Sequence, residues 1–240
     1  MELAPPTILK TLLSGLFPSR CIFCQQTTGR ELDVCPACYD ALPHNQTCCV
    51  RCALPLVEDI NHAVLCGRCI KKRPAFDYAH SPFCYEDEII TLVHQLKFSE
   101  KIRFSRSIGE MLWQHFSTTG ERPDCLLPVA LHKSRMRQRG FNQSIEISRV
   151  LAKKLAIPIE HTAIERQRST VAQTGLSAKQ RQKNIRGAFA VVGELHYKHV
   201  LIIDDVMTTG ATVNELAKLL KRNNVERVGV LSIARAPVKG

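Results

Sequence analysis

The sequence predicts an α/β domain, a parallel sheet flanked by helices, preceded by a small cysteine-rich metal-binding module. Three observations carry that expectation. The run VLII at residues 200–203 ends on an acidic pair and a Thr-Gly loop. Upstream and downstream of it, apolar residues recur at helical spacing between short apolar runs. Eight of the 11 cysteines fall into four C-x-x-C pairs near the start of the chain.

With 240 residues the chain is long enough for one full α/β domain and a smaller companion. Nine of the 11 cysteines lie between Cys21 and Cys69. That composition shift predicts a boundary near KKRP at 71–74, with a cysteine module over 1–73 and an α/β domain over 74–240.

The cysteine module comes first. Cys21/Cys24, Cys35/Cys38, Cys49/Cys52 and Cys66/Cys69 are four chelating knuckles. Two residues between the cysteines let both sulfurs reach one ion, and two knuckles complete a tetrahedral four-cysteine site. Sequential pairing gives C-x2-C-x10-C-x2-C and then C-x2-C-x13-C-x2-C, lengths that suit two structural Zn2+ ions in two zinc ribbons. Interleaved pairing has the same ligands and stays open. Cys48 is spare and stands where it could replace Cys49, while Cys84 and Cys125 read as core residues and His44 and His62 as surface ones. Large apolar residues are few in this module, so the metal is expected to supply much of its folding free energy. The apolar stretch at 7–17 is too short to span a bilayer, and Pro5 and Pro6 stand where a secretory signal would carry positive charge. A cytoplasmic protein is expected, in which cysteines serve metals rather than disulfides.

In the α/β domain, Ile89, Leu92, Val93 and Leu96 mark one helix, and Phe104, Ile108, Met111 and Leu112 a second. Residues 125–129, CLLPV, read as a short buried strand. Phe141, Ile145, Leu151, Ala152 and Leu155 give a third helical face, and a strand is expected over 157–164. A helix is expected from Ser177 onward. The VLII run has the character of a parallel strand buried on both faces. Val213, Leu216, Ala217 and Leu220 form a helical stripe stopped at Asn223-Asn224, and RVGVLSIA at 227–234 is the next strand, parallel to the last.

Two stretches are basic and free of acids. HKSRMRQR at 132–139, expected as a loop, carries Lys133, Arg135, Arg137 and Arg139. Residues 166–186 carry Arg166, Arg168, Lys179, Arg181, Lys183 and Arg186. Both are expected at the sheet edge that holds the acidic pair. Guanidinium groups match phosphate oxygens there. The formal net charge of +11 agrees with an anionic partner such as nucleic acid or nucleotides.

The chemistry concentrates in VLIIDDVMTTGAT at 200–212. Open α/β sheets bind ligands at the carboxyl ends of their strands. Asp204 and Asp205 repel one another, so they call for hydroxyl donors or a divalent cation; ribose hydroxyls and a Mg2+ bridging from a diphosphate both fit. Thr208, Thr209, Gly210, Ala211 and Thr212 offer hydroxyls, small side chains and a helix N-terminus, which favours phosphate. All thirteen positions resemble the phosphoribosyl diphosphate signature of type I phosphoribosyltransferases. The resemblance implies that fold, with Asp204 and Asp205 on the ribose side and residues 208–212 around the 5′-phosphate. Where 6-oxopurine transferases keep an aspartate as general base, this chain has Thr208, which cannot take a proton near neutral pH. No residue for activating an acceptor can be named.

Taken together, the chain resembles the ComF/GntX family of competence-associated proteins. The resemblance spans LFPSRCIFC at 16–24, LKF at 96–98 and RGFNQS at 139–144. It continues through the spaced set Arg168, Thr170, Gln173, Leu176, Arg181, Asn184, Gly187 and Phe189 to the Asp-Asp-Thr-Thr loop. It implies a cytoplasmic role in natural transformation and DNA uptake, with single-stranded DNA, a DNA-translocating helicase and recombinase-loading proteins as partners. Some relatives are associated with using DNA as a nutrient. Two functions follow as expectations. In one, the pocket binds a nucleotide or strand phosphate while Lys133, Arg135, Arg139, Arg168 and Arg181 track the DNA backbone, with Phe98, Phe104, Phe141 and Phe189 available to stack bases. In the other, an active phosphoribosyltransferase uses Mg2+ and phosphoribosyl diphosphate with an unidentified base.

Overall fold

The structure is a computed structural model that describes residues 19–28, 32–56, 63–96, 104–168 and 178–237; the side chains of 178, 179, 181 and 182 lie outside that description. The chain divides into two compact units, Met1–Leu42 and Pro43–Gly240.

In the first unit, the turn after Cys21 and the helix α1 (Pro36–Asp40) present the two knuckles. Pro36 stands at the first helical position, where its missing N–H costs nothing. Cys21 and Val34 are fully buried.

The second unit begins with the other two knuckles and α2 (Gly67–Lys71). Then follow β1 (Tyr78–His80), β2 (Phe83–Cys84), α3 (Asp87–Leu96), α4 (Phe104–Phe116) and β3 (Cys125–Pro128). After these come α5 (Lys133–Arg139), α6 (Gln143–Leu155), β4 (Ile164–Arg166), α7 (Ala178–Ile185) and β5 (Phe189–Val191). The chain ends in β6 (His199–Met207), α8 (Ala211–Arg222) and β7 (Arg227–Arg235).

The main sheet is parallel, in the order β1-β7-β6-β3, with β2 continuing the β1 edge along β7. Val200, Leu201, Ile202 and Ile203 are all fully buried, as a two-faced parallel strand requires. The apolar stripes expected for α3, α4 and α8 are the buried ones. On α6 the buried face turns out to be Ser144, Ile147, Ser148 and Leu151, with Ile145 only half-buried. Small residues suit a close approach there. A Cβ on Gly109 of α4 would lie 2.6 Å from the Cβ of Val150, so those helices pack against each other at glycine distance. The stop after α8 is left-handed at Asn224, with φ 63°.

Three expectations need correction. The acid-free run at 132–139 is a helix, α5, rather than a loop. The His132 ring accepts from the Ser134 N–H at 3.2 Å at its start, and Gly140 ends it in the left-handed region with φ 79°. The strand expected over 157–164 is reduced to one parallel bridge, Leu126 with Ile159, followed by β4. Glu160 breaks it: one carboxylate oxygen accepts from the Thr162 and Ala163 N–H groups, each at 2.8 Å, and closes a turn. Finally, β6 runs through the acidic pair to Met207 instead of ending at Ile203.

The second four-cysteine group belongs to the core of the larger unit. Cys49, Cys52, Cys66 and Cys69 share a buried cluster with Phe76, Leu127, Val200, Met207 and Val230. No helix among the described residues is long and apolar enough to cross a membrane. The stretch at 7–17 lies outside the described residues.

Candidate functional site

The sheet opens where β3 stops. Its last rung pairs Pro128 with Ile203, and the Val129 N–H still reaches the Ile203 carbonyl at 2.9 Å. Beyond it β6 continues beside β7 alone, so Asp204 and Asp205 stand past the end of β3. A cavity of about 710 Å³ lies there, lined by the acidic pair, residues 206–213, Arg135, Arg139, Gln143, Arg166 and Tyr85 among others.

Asp204 and Asp205 are both half-buried. Burial and the neighbouring Asp205 charge push the Asp204 carboxyl well above the usual carboxylate range, against the pull of the Asp205 N–H and the Arg166 guanidinium. Asp205 has a different environment. One oxygen accepts from the Val206 N–H at 2.7 Å and the other from the side-chain amide of Gln143 at 3.2 Å. The oxygen of that same amide accepts from the Arg139 guanidinium at 2.6 Å. A carboxyl whose charge is disfavoured, beside an oriented carboxylate, suits neighbouring hydroxyls, or a cation that would favour its ionised form.

The RGFNQ run acquires its physical reason at this point. Arg139 ends α5, and Gly140 takes the left-handed turn that a side chain would strain. Phe141 is buried. Asn142 caps α6 by accepting from the Ser144 N–H at 3.0 Å, and its own amide donates to the Val129 carbonyl at 3.0 Å, tying the helix to the end of β3. Gln143 then faces Asp205.

After β6 the loop turns into α8 at Gly210, which has φ 75° and offers no side-chain cap. The Thr209 hydroxyl accepts from the Ala211 N–H at 3.3 Å. The start of a helix of this length, facing a cavity with three guanidinium groups, suits a phosphate. Arg166 is buried on the ring of Phe189, 5.6 Å from its centroid, and burial and nearby Arg135 lower its pKa while Asp204 raises it. Burial and Arg135 likewise lower Arg139, which Asp205 raises.

The other expected basic contacts separate. Lys133 is exposed and lies 3.5 Å from Glu165. Arg168 turns away from the cavity: its guanidinium donates to the Arg186 carbonyl at 2.6 Å and the Asn184 carbonyl at 3.3 Å, closing the end of α7. The side chain of Arg181, and all of Thr170, Gln173 and Leu176, lie outside the described residues. The stacking candidates also change. Phe104, Phe141 and Phe189 are buried and Phe98 lies outside the described residues, whereas Tyr85, unforeseen in the sequence, lines the cavity. Burial and the Asp205 charge raise its hydroxyl pKa.

The cysteines form two sequential sets, Cys21/Cys24/Cys35/Cys38 and Cys49/Cys52/Cys66/Cys69, with all four sulfurs of each set within 4.8 Å of one another. Separations of 3.7 Å for Cys24–Cys35 and 3.6 Å for Cys52–Cys66 match the roughly 3.8 Å edge of a zinc–sulfur tetrahedron with bonds of about 2.3 Å. Backbone N–H groups support the sulfurs; the Cys66 N–H donates to Cys49 Sγ at 3.2 Å. Although burial opposes it, such N–H bonds bring Cys21 down to about 6 and Cys49 to about 7, while burial and neighbouring sulfurs push Cys38 and Cys52 up, so it is the sulfur spacing that marks the metal sites. Both sets therefore fit zinc. Cys48 stays outside the second set, His44 packs on Phe83 with centroids 5.3 Å apart, and His62 lies outside the described residues.

Parallel sheet, acidic pair and Thr-Gly helix entry, joined to two four-cysteine ribbons, define a phosphoribosyltransferase-type domain carried with a double zinc ribbon. Residues 12–70 match the double zinc ribbon domain and residues 99–240 the phosphoribosyl transferase domain. The chain is 34% identical over 225 residues to DNA utilization protein YhgH of Escherichia coli O157:H7, covering 91% of this chain and 97% of that protein. It is 30% identical over 233 residues to Competence protein F of Haemophilus influenzae, covering 93% and 100%. The chain belongs to the ComF/GntX family. In shape it is similar over 59% of its length, and 30% of the other chain, to a Bacillus subtilis glutamine phosphoribosylpyrophosphate amidotransferase at 19% identity and a TM-score of 0.39; the fold assignment rests on the strand order instead.

Proposed function

We propose that the cavity binds a ribose-phosphate group and that the protein uses it while handling incoming single-stranded DNA in the cytoplasm. The observation that carries the reading is the convergence of Asp204 and Asp205, the Gly210 helix entry and the guanidinium groups of Arg135, Arg139 and Arg166 on one cavity. Thr208, Thr209, Gly210, Ala211 and Thr212 hold the phosphate. Asp204 and Asp205 take the ribose hydroxyls, or a Mg2+ that supplies charge neutralisation for a diphosphate. The exposed basic side of α5, with Lys133, extends this contact along a DNA backbone. The names of the relatives, DNA utilization protein and Competence protein F, support DNA as the wider substrate. A translocating helicase and recombinase-loading proteins are the partners that fit such a role.

Calorimetry with phosphoribosyl diphosphate and Mg2+ tests the pocket. Binding to the wild type that is lost in Asp205→Ala supports it, and no binding to the wild type refutes it. Filter binding of single-stranded DNA at two salt concentrations tests the wider role.

The cavity volume of about 710 Å³ exceeds what a phosphate alone needs. That favours, as a second reading, an active phosphoribosyltransferase with a base beside Tyr85. Release of pyrophosphate on addition of bases would establish it.

A further inference from the structure

Arg235, the last residue of β7, joins the second four-cysteine centre to the phosphate loop. It is 3% exposed. Its Nε donates to the Cys52 carbonyl at 3.0 Å. One terminal nitrogen donates to the carbonyls of Met207, at 2.7 Å, and of Thr208, and to its own neighbour Ala236 at 3.0 Å. The backbone takes part as well. The Arg235 carbonyl accepts from the Tyr85 N–H at 3.0 Å, and the Ala236 N–H donates to the Met207 carbonyl at 3.1 Å. The buried cation therefore touches a metal knuckle and the start of the Thr-Gly loop, while the backbone of the same residue holds Tyr85 at the cavity rim.

Burial of a guanidinium is costly unless its charge and donors are satisfied. Here carbonyls take up Nε and one terminal nitrogen; burial still pushes the guanidinium pKa down, against the sulfurs of Cys52 and Cys66, which favour the charged form. Metal binding adds to the Cys49–Leu54 and Cys49–Ala53 backbone bonds that close this turn, so loss of the ion is expected to loosen the Cys52 carbonyl. If that carbonyl moves, the guanidinium loses one anchor while it must still hold the Met207 and Thr208 carbonyls. Those residues set where the helix entry at Gly210 begins.

We propose that Arg235 is a positioning residue through which zinc in the second four-cysteine centre fixes the phosphate loop. The consequence for ligand affinity rests on the pocket reading above. The coupling itself is read from the loop without any ligand, so the two can fail separately.

The experiment is hydrogen exchange, followed by mass spectrometry on the full zinc-loaded chain, in peptides covering residues 204–213. The variants are Cys69→Ser, which breaks the second centre, Cys38→Ser, which breaks the first, Arg235→Lys, and Arg235→Lys with Cys69→Ser. Loop exchange is expected to rise about tenfold in Cys69→Ser and in Arg235→Lys, since charge-assisted hydrogen bonds are lost in each. It should stay at the wild-type level in Cys38→Ser. The double variant should exchange no faster than Cys69→Ser alone, because both changes cut the same link. Wild-type loop exchange in Cys69→Ser would overturn the proposal, as would effects that multiply in the double variant. Zinc release into a coloured chelator supplies a second measurement. By reciprocity Arg235→Lys should hold the second zinc less tightly than the wild type when titrated against that chelator, and an unchanged affinity would count against the link.

Discussion

The side-chain amide of Gln143 donates to the Asp205 carboxylate at 3.2 Å and accepts from Arg139 through its oxygen. Asp205 is thus aimed by an amide that is itself aimed by a cation. Replacing Gln143 with Leu removes both bonds at nearly the same size. Affinity for phosphoribosyl diphosphate with Mg2+ should fall by roughly one to two powers of ten, at about 1.4 kcal/mol per tenfold. Calorimetry measures it, and an unchanged affinity would remove Gln143 from the site.

Two carboxylates should respond to neutralisation with opposite signs. Asp77 accepts from Lys221 at 2.6 Å and from the Val228 N–H at 2.8 Å. Burial works against its charge, yet these partners hold its pKa below the usual value. Its stabilising contribution is present above the unfolded pKa and is lost as pH falls through the folded one. Asp204 is raised instead, so its penalty appears as pH climbs from the unfolded pKa through the folded one. Asp77→Asn should lower the melting temperature at pH 7.5 and Asp204→Asn should raise it. The Asp204→Asn gain should shrink as pH is lowered. Thermal melts at several pH values decide, and two shifts of the same sign would contradict this account.

The basic surface should act through counterion release. A combined Lys133→Ala and Arg135→Ala variant should bind single-stranded DNA more weakly, and the slope of log affinity against log salt should flatten by about 1 to 1.5. Arg168→Ala should leave that slope unchanged, because its guanidinium is occupied by the carbonyls at the end of α7. A slope equally reduced by Arg168→Ala would mean that α7 is remodelled on binding.

The metal content should be two zinc ions per chain, one for each set of four cysteines. Cys69→Ser should lower the melting temperature of the sheet-bearing unit, since Cys69 lies in its buried cluster. Differential scanning calorimetry measures this, and an unchanged transition would separate the second centre from that core.

The central strand and its loop were legible because their chemistry is continuous in sequence: four apolar residues, two acids, a Thr-Gly turn. The C-x-x-C pairs were legible for the same reason, although only the structure chose sequential pairing. What escaped the sequence was long-range or short. β1 and β2 hold three and two residues, too few for a pattern, and exist because β7 gives them an edge. Helix α5 lacks an apolar stripe; it is read from its His132 cap and the left-handed Gly140, not from periodicity. Arg168 sits among phosphate-seeking neighbours yet serves a helix end. Arg235 and Tyr85 join the site across distances of 28 and 120 residues from Met207 and Asp205, where no local signal exists.

The two cysteine sets differ in how much protein covers them. In the first, Cys24 is exposed and Cys38 half-buried, whereas all four cysteines of the second are buried. A chelator reaches an ion by attacking from solvent, so the two centres should empty on separate clocks. The first would exchange metal readily with its surroundings, while the second would give up its ion far more slowly.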